Sequence, residues 1–151
     1  MAANIRIQAE PFDAAAETAA LTGGAADIGA VVAFTGLCRD EGGRLAALEL
    51  EHYPGMAEAE IGRIAAQAQA RWPLLGVTVI HRFGRIAPGE GIVLVLTASA
   101  HRQAAFEAAS FLMDYLKTQA PFWKREHLKD GSVGAWIDAK EADDRATERW
   151  R

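Results

Sequence analysis

Cysteine is almost missing from this chain. Cys38 is the only one among 151 residues, so no disulfide can close within the chain and a cysteine-based zinc site is excluded. That usage fits a reducing cytoplasm. Excess positive charge is missing too. Sixteen Lys and Arg stand against twenty Asp and Glu, a net charge of −4, which argues against a general nucleic-acid binder with its basic footprint. No apolar run approaches the ~20 residues of a membrane span. The first residues, Met1-Ala-Ala-Asn-Ile5, lack the apolar core of a signal peptide. The chain has no phosphate-binding P-loop, no dinucleotide fingerprint and no serine elbow. His52, His81 and His127 have no metal-ligand spacing to one another, so core or surface roles are expected for them and no metal site is expected.

What is present is ordinary globular composition, half hydrophobic and a quarter charged, in a length that suits one domain over residues 1–151. The punctuation is clear. Ile5 to Gln8 alternates as a short strand. Asp13 can cap a helix over Ala14 to Leu21 that Gly23-Gly24 closes. Gly29 to Gly36 reads as a buried strand, and Leu45 to His52 as the next, expected antiparallel to it. Pro54-Gly55 turns the chain into a helix over Met56 to Arg71, with Ile61, Ile64, Ala65 and Ala68 on one face and Trp72-Pro73 as its stop. Val77 to Phe83 and Ile92 to Ala98 are strands around the turn Pro88-Gly-Glu-Gly91. His101-Arg102 opens the longest helix, which runs to about Gln119 ahead of Pro121. Phe122 to Leu128 and Val133 to Ile137 read as a hairpin around Asp130-Gly131, and the charged tail from Lys140 is weakly helical. The predicted class is α+β: mainly antiparallel strands with two substantial helices.

Cations set among apolar residues are the candidates for chemistry, because such groups are costly to desolvate unless an anion or a carbonyl meets them. His101 and Arg102 stand where a strand hands over to a helix, whose free N–H groups and partial positive charge make an anion site; a packed histidine beside a solvated arginine is the plainer alternative. Lys117 follows Phe106, Ser110 and Met113 at helical spacing and so ends an apolar stripe. It either snorkels to water or sits partly desolvated. In a strand over Phe122 to His127, Phe122, Lys124 and Glu126 share one face while Trp123, Arg125 and His127 share the other. Aromatics interleaved with bases suit a flat heterocycle; an edge strand guarded by charge is the alternative. Arg39 stands after the buried strand that holds Phe34, at the mouth of a glycine-containing loop, within reach of a phosphate or merely solvated. Cys38 has no histidine that can be paired with it from sequence, so a small residue at a strand end is expected rather than a nucleophile.

The segments Val32-Ala-Phe-Thr-Gly36, Leu48-Glu-Leu-Glu-His-Tyr-Pro-Gly-Met56, Arg71-Trp-Pro73, Val79-Ile-His-Arg82, Thr97-Ala-Ser-Ala-His-Arg102, Phe111-Leu-Met-Asp-Tyr-Leu-Lys-Thr118 and Ala120-Pro-Phe-Trp-Lys-Arg-Glu126 resemble the large, catalytic subunit of molybdopterin synthase. The resemblance runs from about Ile5 to Trp150. It implies an α/β hammerhead fold with an additional small strand subdomain. It implies transfer of sulfur, held as a thiocarboxylate on the C-terminal Gly-Gly tail of a small ubiquitin-like partner, to cyclic pyranopterin monophosphate, forming the dithiolene of the molybdenum cofactor. It implies a homodimer carrying one small subunit at each end, a cytoplasmic setting, and no metal or cofactor of the chain's own. By position, Lys117 and Lys124 match the family's active-site lysines. Arg39, His101 and Arg102 match its anion-binding residues, and Phe34 and Met113 its pocket lining. Lys140 stands where some relatives carry arginine; it keeps the charge and loses the planar fork. On residues alone, two other classes stay open: a non-catalytic adaptor that docks a ubiquitin-like tail, and a phosphate- or nucleotide-binding module.

Overall fold

A computed structural model describes residues 2–138 and 147–150. The order of elements is β1 (Asn4–Gln8), α1 (Ala14–Thr22), β2 (Ala30–Leu37), β3 (Leu45–His52), α2 (Met56–Arg71), β4 (Leu74–Arg82), β5 (Gly84–Ile86), β6 (Gly91–Ser99), α3 (Arg102–Gln119), β7 (Phe122–Leu128) and β8 (Ile137–Asp138). Helix ends follow local chemistry. The Asp13 carboxylate accepts from the Ala15 and Ala16 N–H groups at 3.0 and 3.1 Å, and Gly23 closes α1 in the left-handed region at φ 49°. Trp72 and Ala120, each ahead of a proline, are extended and stop α2 and α3.

Two four-stranded sheets form. The first has the order β1-β4-β6-β2, with β1 parallel to β4 and the other pairs antiparallel; the second has the order β5-β3-β7-β8 and is antiparallel throughout. β2 and β3, neighbours in sequence and expected to be antiparallel, lie in different sheets. β2 pairs along its length with β6, and the loop of residues 38–44 carries the chain over to the second sheet. There Leu45 and Leu50 join Cys38 and Ile86 in a separate apolar cluster. This second sheet is the additional strand unit that the resemblance implies.

The strand period of two sorts the first sheet into two faces. Val77 and Val79 of β4 and Val93 and Val95 of β6 pack under α2 and α3, against Ile61, Ile64, Phe111 and Leu112. Ile80, Leu94 and Leu96 face the other way, onto Phe12, Ala14 and Leu21. The α2 face is the expected one. The buried side of α3 is Ala105, Ala108, Leu112 and Leu116, so the stripe expected through Phe106, Ser110 and Met113 is displaced by one position. Phe106 is 62% exposed. The reason is that α3 carries two apolar rows side by side around its circumference, and β6 takes the alanine-rich one because small side chains let the backbones approach. The Thr97 hydroxyl donates to the Ala105 carbonyl at 2.7 Å across that contact.

Arg82 is buried and locks three segments together, donating from Nε and Nη2 to the Ala9 carbonyl (3.0 and 2.9 Å) and from Nη1 to that of Gly91 (3.2 Å). Trp150 packs edge-on against Trp72 and Phe111, and its backbone carbonyl accepts from Arg71 at 2.8 Å. Among the described residues no helix is long and apolar enough to cross a membrane.

Candidate active site

Where the C-terminal end of α3 meets the second sheet, a cavity of about 460 Å³ opens. Three elements supply its cations: Arg39 from the loop after β2, Lys117 from the last turn of α3, and Lys124 from β7. Its floor is apolar, with Leu50, Ile92 and Leu116. Lys117 is exposed on the cavity, which is the snorkelling outcome; its ammonium in the last turn also complements the partial negative charge of the helix end. In β7, Phe122, Lys124 and Glu126 line the cavity as the alternation predicts, and Trp123, expected on the opposite face, lines it as well, while Arg125 and His127 turn to the far face. There Glu49 accepts from Arg125 Nε at 2.8 Å and from His127 Nε2 at 2.7 Å. These two partners hold the Glu49 carboxyl below its ordinary range.

The cavity is not purely cationic. Glu41 and Glu126 also line it, and Arg39 is ion-paired with Glu41. Both side chains of that pair are largely exposed, so the pair is weak, and an incoming phosphate competes with a single solvated carboxylate for the guanidinium. Cys38 lines the cavity yet is only 3% exposed. Burial pushes its thiol up, and nearby carboxylates, Asp40 first, add to the effect; it is no ready thiolate.

A second hollow of about 100 Å³ adjoins the first and holds Phe34 and Met113. Lys117 and His81 line both. His81, for which the sequence suggests a core or surface role, is instead a lining residue of both hollows. It continues the helix-facing row Val77, Val79 to the end of β4, and its ring lies on that of Phe122 with centroids 3.8 Å apart and 15° between planes. The available signal was a histidine ending an apolar row of a strand, which is more often a core residue than a site residue. Burial, then the charge of Lys117 and His52, pushes its imidazole down to about 4, so it is neutral at physiological pH.

His101 and Arg102 lie elsewhere. They border an open depression at the N-terminus of α3 with Gly29, Phe106 and Glu107, and His101 makes no side-chain cap bond. Gly29 is required there: a Cβ on it would stand 2.2 Å from the Ala100 carbonyl oxygen. The structure therefore brings Arg39, Lys117 and Lys124 together, sets Phe34 and Met113 beside them, and separates His101 and Arg102 from all five. Lys140 lies outside the described residues. Among the described residues no cluster of three His, Cys, Asp or Glu stands ready for a metal ion.

The "MoaE protein" family model matches residues 7–119. The molybdopterin synthase catalytic subunit of Mesorhizobium japonicum is 71% identical over 151 residues, all of this chain and 95% of the relative. The solved structure of the molybdopterin biosynthesis MoaE protein from Burkholderia ambifaria superposes with a TM-score of 0.86 at 50% identity, covering 98% of this chain and 97% of that one. That of molybdopterin synthase from Staphylococcus aureus gives 0.78 at 29% identity, covering 87% and 94%. With three cations gathered on one cavity and a match that runs from β1 to the end of α3, the chain belongs to the MoaE family.

Proposed function

We propose that this chain, as a single cytoplasmic domain, is the catalytic subunit of molybdopterin synthase. It moves sulfur from the C-terminal thiocarboxylate of a small ubiquitin-like subunit to cyclic pyranopterin monophosphate, making the dithiolene of molybdopterin. The observation that carries the reading is the convergence of Arg39, Lys117 and Lys124 on one cavity in a chain of this family. The proposed substrate is a flat heterocycle bearing a phosphate. An exposed guanidinium, two ammonium groups and the aromatic wall of Phe122 and Trp123 offer what such a molecule needs.

Sulfur arrives on the partner, so Cys38 need not donate it. Attack of a thiocarboxylate on a substrate carbon passes through anionic intermediates, and ammonium groups held at the cavity stabilise developing negative charge and exchange protons with it. Lys117 and Lys124 take that role here, with Arg39 as an anion contact and Phe34 and Met113 shaping the adjoining hollow. The partner's Gly-Gly tail fits an approach between walls, because glycine lets backbones pass closely. His101 and Arg102 are too far along α3 to grip the same small molecule, so they serve the cavity of a second copy, in a homodimer that carries a small subunit at each end.

The direct test mixes the purified chain with a thiocarboxylated carrier and cyclic pyranopterin monophosphate and follows the pterin by mass spectrometry. A pterin carrying two added sulfurs is expected, and none with a carrier ending in a plain carboxylate. Absence of product with the thiocarboxylated carrier overturns the reading.

A further inference from the structure

At the junction of the two hollows the structure holds one polar group that the proposed chemistry leaves unused. His81 Nδ1 lies 2.8 Å from the carbonyl oxygen of Arg82. A carbonyl can only accept, so Nδ1 carries the proton and the tautomer is fixed. Nε2 is then a bare lone pair. It meets no hydrogen-bond partner among the described residues, and the residue is half-buried at the wall of the hollows. His81 itself lines both hollows, as does Lys117. The ring has little freedom to turn away. It is stacked on Phe122 and pinned through Nδ1, and its strand is anchored one residue on by the three hydrogen bonds of Arg82.

A fixed, neutral acceptor left without a partner in a partly buried place costs free energy unless something meets it. We propose that His81 is a further substrate-binding residue of this site: its Nε2 accepts a hydrogen bond from an N–H or O–H donor of the bound pyranopterin. The inference rests on the function proposed above. Arg39, Lys117 and Lys124 offer only donors to a ligand, so they recognise its anionic and carbonyl groups. A heterocycle with ring N–H and hydroxyl groups needs an acceptor as well; Glu41, Glu126 and Asp138 on the larger hollow would set negative charge beside the phosphate, whereas His81 supplies a neutral acceptor at the junction. Because the imidazole stays neutral down to about pH 4, it keeps that role across the working range of pH.

The test uses the chain assembled with a carrier that ends in a plain carboxylate, so that substrate binds without turnover. Binding of cyclic pyranopterin monophosphate is titrated for wild type, His81→Phe and His81→Gln. Phenylalanine keeps the stack on Phe122 and removes the acceptor; glutamine places an amide oxygen near the position of Nε2. His81→Phe is expected to weaken binding about 3- to 10-fold, the worth of one neutral hydrogen bond, and His81→Gln to stay within about 2-fold of wild type. In turnover with the thiocarboxylated carrier the same loss appears in KM for the pterin and not in KM for the carrier. Wild-type affinity in His81→Phe, or an equal loss in both variants, overturns the inference while leaving the proposed function standing. No binding by the wild-type assembly overturns both. A measurement that needs no variant is the ¹⁵N shift of His81 Nε2 in the wild-type chain. It moves from the free-acceptor towards the hydrogen-bonded position on saturation with the pterin, and an unmoved resonance overturns the inference.

Discussion

Lys117 and His101 bracket one helix and open on different hollows: Lys117 stands in the last turn of α3 and His101 at its N-cap. Fifteen helical steps from Arg102 to Lys117, at about 1.5 Å each, put roughly 22 Å between them. A pterin monophosphate is much shorter. A two-fold dimer answers this by pairing unlike ends reciprocally. Lys117→Ala and His101→Ala chains, each inactive alone, are then expected to complement when mixed under subunit exchange. Random exchange makes half the dimers mixed, each with one intact site of two, so activity recovers to about a quarter of wild type. No recovery despite verified exchange would show that the site is not shared.

Lys117 is exposed on the cavity. Lys117→Ala should therefore change stability by no more than about 0.5 kcal/mol while abolishing dithiolene formation. Lys117→Arg should fail as well, because a guanidinium is bulkier and does not give up its proton. Melting curves and product mass spectra on the same samples separate the two effects, and wild-type turnover in either variant would remove Lys117 from the chemistry.

Cys38 lines the cavity with a thiol that burial keeps protonated. Cys38→Ser should retain most activity, since the sulfur is supplied by the carrier. A persulfide found on Cys38 during turnover is the result that would contradict this.

His81 makes stability depend on acidity with a definite sign. Its imidazole is held down to about 4 when folded, against 6.5 ordinarily. Below 6.5 the unfolded chain takes up a proton that the folded chain refuses. Stability is therefore lost as pH falls from 6.5 towards 4, by up to about 3 kcal/mol. His81→Phe has no such proton to take up, so its unfolding free energy should fall less over that window. Glu49 acts in the same direction at lower pH: its lowered carboxyl contributes stability above the ordinary carboxylate range and loses it on protonation. Denaturant titrations at pH 7, 5.5 and 4.5 check this, and parallel curves for wild type and His81→Phe would contradict it.

Local chemistry makes much of this fold legible in the sequence. Asp13 and Gly23 bound α1, Pro73 and Pro121 stop α2 and α3, and the alternation in β7 sets Phe122, Lys124 and Glu126 on the cavity and Arg125 and His127 away from it, with Trp123 departing from the pattern by lining the cavity too. What was not legible depends on contacts distant in sequence. β3 lies next to β2 in the chain but pairs with β5 and β7, which no local pattern encodes. β5 is three residues long, too short for a period to register. Phe106 and Ala105 start competing rows on α3, and only the close approach of β6 selects between them. His81 was missed for a similar reason: that one of its nitrogens is satisfied and the other open follows from the cavity, not from Val79-Ile-His-Arg82 itself.

Two glycines give opposite predictions for the same substitution. Gly62 lies inside α2 with nothing within 4 Å of a would-be Cβ, so Gly62→Ala removes backbone freedom from the unfolded chain at no steric cost. It should stabilise by about 0.5–1 kcal/mol. Gly29 donates its N–H to the Ser99 carbonyl at 3.0 Å, and its added Cβ would meet the Ala100 carbonyl oxygen at 2.2 Å. That oxygen is backbone and cannot swing aside as a side-chain end would. Gly29→Ala must push β2 away from the strand end that presents His101 and Arg102, at a cost of about 1–3 kcal/mol. If those two residues hold the substrate of the neighbouring copy, Gly29→Ala also weakens pterin binding in chains that are still folded, with the carrier interaction unchanged. Melting temperatures and pterin titrations on both variants provide the check. A Gly29→Ala chain as stable as wild type would mean that the strand ends can part without loss.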